Sequence, residues 1–169
     1  MAKFCYIYLM LFGALAAQML LGNLGLTLPF TATVIFYLAV VYGWRQAAIA
    51  AAITGSTLDL LYGNSCYSAV ALLLIVAFAR WWLHCYDSRS VRMTIFPGTI
   101  CGIIIFLPQA RLLYFSWISV LVFTAQLIFF MVITAILLPL TVLSLEKIAR
   151  LTGMPLFKKA KTNLIHRKH

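Results

Sequence analysis

An all-α integral membrane protein with six transmembrane helices is the architecture that three observations predict. Apolar residues make up 64% of the 169-residue chain and charged residues only 9%, against about 25% charged in an ordinary soluble domain. Mean hydropathy is +1.04. The apolar residues are gathered into long runs, of the kind that cross the roughly 30 Å hydrocarbon core of a bilayer with about 20 residues each. The cations are distributed unevenly along the alternating sides that six crossings would create, which is the pattern expected of a cytoplasm-anchored bundle.

The apolar segments fall at about 4–22, 30–44, 46–63, 66–83, 94–110 and 114–145. The first follows Lys3 and contains Ala14-Leu15-Ala16, a cleavage-like triplet, but its apolar run is long for the core of a signal peptide and is read as a helix. Gly22-Asn23-Leu24-Gly25 and Pro29 break the chain before the second segment. The second and third are separated only around Trp44, Arg45 and Gln46, and Gly63-Asn64-Ser65 separates the third from the fourth. Pro108 marks the end of the fifth. The sixth is too long to cross straight, so it is expected to tilt, kink at Pro139 or emerge before Glu146, of which emergence is preferred. The domain plan is therefore a six-helix transmembrane unit over 1–145 and a basic cytoplasmic tail over 146–169.

Net charge is +10, thirteen Lys and Arg against three acids, and seven of the thirteen follow residue 146. With the N-terminus inside, Lys3, Arg45, Arg80, Arg89, Arg92 and the seven tail cations lie on the inner side and Arg111 alone on the outer. That bias places both termini in the cytoplasm. Trp44, Trp81 and Trp82 fall at inner ends and Tyr62, Tyr67, Tyr114 and Trp117 near outer ends, at headgroup depth. The tail couples Lys158, Lys159, Lys161, Arg167 and Lys168 to Leu156, Phe157 and Leu164. A segment of this type gains about 1 kcal/mol per basic residue at an anionic surface, so phospholipid rather than nucleic acid is its expected contact.

Asp59 is the one acid inside an apolar segment, about 6 Å of helical rise from Gly63. Two roles are open to it: fixing helix packing or the outer turn, or contacting a partner or ligand. Arg111 is its candidate ion-pair partner. Gly55, Asp59 and Gly63 recur every four residues and share one face of the third helix, which Ala47, Ala48, Ala50, Ala51, Ala52, Thr54 and Ser56 make unusually small. Such a surface admits another backbone closely, either within the bundle or from a second protein. Gln18 and Gln126 are expected to hydrogen-bond across helix interfaces.

Catalytic constellations are not supported. An aspartyl peptidase needs two carboxylates together, and Asp87 and Glu146 belong to the opposite side from Asp59. A serine nucleophile needs a base, and His84, His166 and His169 all fall outside the apolar segments. Those histidines and Cys5, Cys66, Cys85 and Cys101 lack metal-ligand spacing, so no metal or cofactor is expected.

The segment Gly55-Ser56-Thr57-Leu58-Asp59-Leu60-Leu61-Tyr62-Gly63, G-x-x-x-D-L-x-x-G, resembles the rod shape-determining protein MreD family. Pro29 before an apolar second helix, the short basic turn at Arg45, the chain length and the basic C-terminus are similar to that family as well. The pattern departs from it at Tyr67, near where the family tends to carry a further Gly. The resemblance implies a non-enzymatic inner-membrane component of the cell-elongation machinery that binds the bitopic protein MreC and, through it, MreB and the RodA-transpeptidase synthase. It also implies a fold similar to the substrate-binding component of energy-coupling-factor transporters. Capture of a vitamin is accordingly the competing function, with Asp59, Asn64, Gln109, Arg111 and Trp117 as the groups available to an outward pocket. What fills the outer half around Asp59 separates the two, since close packing favours a scaffold and an enclosed cavity a ligand.

Overall fold

A computed structural model describes residues 2–23, 28–62, 67–85, 94–106, 117–151 and 153. Among these it contains six helices and no strand: α1 (Ala2–Asn23), α2 (Phe30–Val41), α3 (Trp44–Tyr62), α4 (Tyr67–Cys85), α5 (Ile95–Phe106) and α6 (Trp117–Leu151).

The centre of the bundle is α2. Its sequence FTATVIFYLAVV is apolar around the whole circumference, which suits a helix covered by protein or lipid on every side. Thr31 to Val40 are all buried, and α2 contacts each of the other five helices. Phe36 packs tilted against Trp82 at 5.9 Å and Phe78 at 6.4 Å, joining α2 to α4. Thr33 is accommodated locally: its Oγ1 donates to the Phe30 carbonyl.

Helix α2 ends at Tyr42-Gly43, with Gly43 at φ +103°, a left-handed conformation open to glycine at no steric cost. The break therefore precedes Trp44, Arg45 and Gln46, which form the first turn of α3 instead of the connection expected from sequence. The Trp44 ring receives the guanidinium of Arg45 at 5.6 Å and that of Arg80 at 4.9 Å. The start of α3 and the last turns of α4 thus lie together at one end of the bundle. At α1, Tyr6 Oη donates to the Leu145 carbonyl of α6 at 3.2 Å.

Three helices are long and apolar enough to cross a membrane: Cys5–Asn23, Tyr67–Cys85 and Val120–Leu151. Helices α2 and α5 have 12 residues each, about 18 Å at 1.5 Å per residue. Helix α3 has 19 residues, but Gln46, Thr54, Gly55, Ser56, Thr57 and Asp59 dilute its apolar character. The outward surface is nevertheless rich in large apolar groups, among them Phe12, Leu60, Leu61 and Leu121, more than a water-facing monomer exposes. Helix α6 runs unbroken through Pro139 and Glu146 to Leu151. Its 35 residues make a rod of about 52 Å, and its last turns remain part of the bundle, with Glu146 and Ala149 buried.

Candidate functional site

The small face of α3 is packed against α4. Ala47, Ala50, Ala51, Thr54, Gly55, Leu58 and Asp59 are the buried residues of α3, spaced to lie along one side. At Gly55 there is no room for a side chain: a Cβ built there would collide with the Ala69 Cα and lie 2.7 Å from its nitrogen. The obstacle is backbone, which cannot swing away. Thr54, beside it, spends its hydroxyl on the Ala50 carbonyl at 2.7 Å and leaves no donor unpaired in the interface.

One turn later, Asp59 is 5% exposed and faces the beginning of α4. Its Oδ1 accepts from the Ser68 N–H at 2.8 Å and its Oδ2 from the Ala69 N–H at 3.1 Å. Tyr67 is the first residue of α4, so these N–H groups are among the four that no helix can satisfy internally. A helix normally recruits its cap from the residue just before it. Here the cap comes from the neighbouring helix, and its negative charge stands at the positive end of the α4 dipole. The α3–α4 pair is thereby fastened twice within one turn, sterically at Gly55 and by hydrogen bonds at Asp59.

The same device recurs at α2. Pro29 precedes that helix and offers no side-chain cap. Gln18 of α1 does so: its Oε1 accepts from the Thr31 N–H at 3.2 Å and from Thr31 Oγ1 at 2.7 Å. The cross-helix bond expected of Gln18 is therefore a second cap supplied by a neighbouring helix. Gln126 behaves differently and is exposed on α6.

Between the two capped N-termini lies a cavity of about 420 Å³. Gln18 of α1, Thr31 of α2, Leu58 and Tyr62 of α3 and Ser68 and Leu72 of α4 contribute to its wall, and Phe130 of α6 completes it from the far side. Of the two features that were to separate the functional alternatives, the region around Asp59 holds the close packing, while the pocket beside it is half open and not an enclosed cavity. Helix α4 covers the Asp59 face closely, and a cavity opens beside it.

Of the other residues singled out in the sequence, Gly63, Asn64, Gln109, Arg111, Cys66, Asp87 and the tail cations Lys158, Lys159, Lys161, Arg167 and Lys168 lie outside the described residues. Glu146 is buried on α6, 3.5 Å from the Arg150 guanidinium, a distance without hydrogen-bond geometry at that oxygen. Among the described residues no three His, Cys, Asp or Glu side chains gather as a metal site would require.

Sequence reasoning missed a second close approach. Gly98 and Gly102, four apart on α5, face α6: a Cβ on Gly98 would sit 2.8 Å from the Ala135 Cα and the Thr134 carbonyl oxygen, and one on Gly102 would collide with Thr134 Oγ1 and lie 2.9 Å from the Phe130 carbonyl oxygen. The signal that could have revealed it is the G-x-x-x-G spacing itself, the same reasoning already applied to α3.

Comparison with protein-family models, curated proteins and solved structures returned no match to this chain.

Proposed function

We propose that this protein is a non-enzymatic scaffold of the bacterial cell-elongation machinery, crossing the inner membrane six times with both termini in the cytoplasm. It binds an MreC-like bitopic protein and, through that partner, MreB and the RodA-transpeptidase synthase, while its basic tail lies on anionic phospholipid. The observation that carries this reading is the Gly55–Asp59 lock. The likeness to the MreD family rests on a short pattern in an apolar helix, and two of its positions do work that few other residues could do. Gly55 is demanded by the Ala69 backbone, and Asp59 satisfies two N–H groups of α4. Two positions of the pattern are thus tied to a structural requirement of the α3–α4 contact.

Arg45, Arg80 and Trp44 at one end of the bundle, and the cavity formed where α1 and α3 finish and α2 and α4 begin, support sequential antiparallel crossings. The fold similarity to the substrate-binding component of energy-coupling-factor transporters belongs to the same proposal. The cavity favours a second reading, the capture of a vitamin for such a transporter.

Affinity purification from native membranes in a mild detergent, followed by mass spectrometry, separates the two. Recovery of an MreC-like protein with peptidoglycan-synthase components is the expected result. Recovery of an ATPase module with a membrane coupling subunit would overturn the scaffold assignment in favour of transport.

A further inference from the structure

The cavity is a built environment with a definite chemistry. Its volume of about 420 Å³ falls at the small end of the roughly 300–1,000 Å³ typical of ligand sites. Ala32, Leu58, Ala71, Leu72, Ile105 and Phe130 make much of its wall apolar, and among the described residues no Lys, Arg, His, Asp or Glu lines it. The nearest acid among the described residues, Asp59, has both oxygens turned to the α4 backbone. A charged ligand would therefore enter without a counter-charge and lose its hydration, which an apolar site cannot replace.

Of the polar groups that remain, the Gln18 amide nitrogen can only donate, while the hydroxyls can donate or accept. Gln18 is held by its oxygen, which both Thr31 bonds occupy, so its amide orientation is set and the two N–H donors of Nε2 have no protein acceptor among the described residues. Ser68 uses its backbone N–H on Asp59, while its hydroxyl makes no hydrogen bond there. Tyr62 brings a second hydroxyl to the rim, half exposed.

From these features we infer that the cavity binds an uncharged amphipathic molecule. The apolar body lies against Leu58, Leu72 and Phe130, and a carbonyl-type oxygen accepts from Gln18 Nε2 and the hydroxyl of Ser68 or Tyr62. The inference holds under either functional reading, since it concerns the occupant of the cavity and not the protein's partners. The shared chemistry has two sources, a neutral lipid from the bilayer or a water-borne solute.

Benzophenone photolabelling tests it, because that group is uncharged, apolar and carries one carbonyl acceptor. The full-length protein in vesicles is exposed to 4-(hydroxymethyl)benzophenone added from water, or to the same group tethered to the acyl chain of a vesicle lipid, and labelled peptides are mapped by mass spectrometry. Saturable labelling of the Leu58–Tyr62 and Ser68–Leu72 segments is expected, and which probe achieves it identifies the source. Ser68→Phe fills the cavity while keeping the N–H that bonds Asp59, and should abolish saturable labelling. Gln18→Leu removes the donors at similar volume and should weaken half-saturation about tenfold. Labelling confined to outward-facing residues such as Leu121 and Phe129, or half-saturation equal in wild type and Ser68→Phe with both proteins folded by circular dichroism, would overturn the inference.

Discussion

Asp59 is the residue on which the α3–α4 pair depends most. Replacing it with Asn leaves one acceptor oxygen for two N–H donors and turns an NH2 group toward the other. Each charge-assisted bond contributes about 1.5–3 kcal/mol, so Asp59→Asn should destabilise by about that amount, and chemical unfolding in detergent would measure it. Gly55→Ala should destabilise by about 1–3 kcal/mol or more through overpacking against immovable backbone. Gly13 provides the contrast, because a Cβ there meets nothing within 4 Å. Gly13→Ala should be neutral or stabilising by up to about 1 kcal/mol, as expected for a helix-interior glycine. The importance of Asp59 was legible in the sequence, where it is the one acid in an apolar run, and so was its alignment with Gly55. Its hydrogen-bond partners were not, because they are backbone groups carrying no side-chain signature. They lie nine and ten residues away in sequence, a separation that no spacing rule turns into a contact.

At the scale of elements, periodicity and breakers located all six helices, most of their ends to within about three residues. The central place of α2 was not legible, because an all-round apolar run suits lipid contact as well as protein burial. The α2–α3 break was misplaced because Trp44 and Arg45 look like a polar turn, whereas Gly43, with its positive φ, is the residue that reverses the chain. The α5–α6 contact escaped notice although Gly98 and Gly102 carry the spacing. Phe106 closes the same interface against Phe123 at 4.7 Å and Phe130 at 5.5 Å. Gly102→Leu should therefore force α5 away from α6, lowering the midpoint of thermal unfolding and exposing buried Cys101 to a thiol reagent. Unchanged Cys101 protection would show that the two helices do not need this close approach. Helix length was the least legible quantity: α6 outruns its apolar segment because Glu146 and Ala149 continue to pack on the bundle.

For the whole molecule, two neighbouring helix starts are capped by side chains from the helices before them, Thr31 by Gln18 and Ser68 and Ala69 by Asp59. Both caps stand at the end of the bundle that the charge bias assigns to the outside, and the cavity lies between them. The opposite end gathers Trp44, Arg45 and Arg80. Exposed Cys85, at the end of α4, should accordingly react with a membrane-impermeant maleimide in inside-out but not right-side-out vesicles once the other cysteines are replaced. Labelling only in right-side-out vesicles would reverse the proposed orientation.

Amide hydrogen exchange at Ser68 and Ala69, in wild type and Asp59→Asn, tests the inter-helix lock most directly. These are the second and third N–H groups of α4 and have no partner within their own helix, so any protection must come from Asp59. The account predicts protection in the wild type comparable to the interior of α4, and exchange at least about tenfold faster in the variant, the equivalent of one lost hydrogen bond. Equal exchange in the two proteins, with α4 otherwise intact, would contradict it.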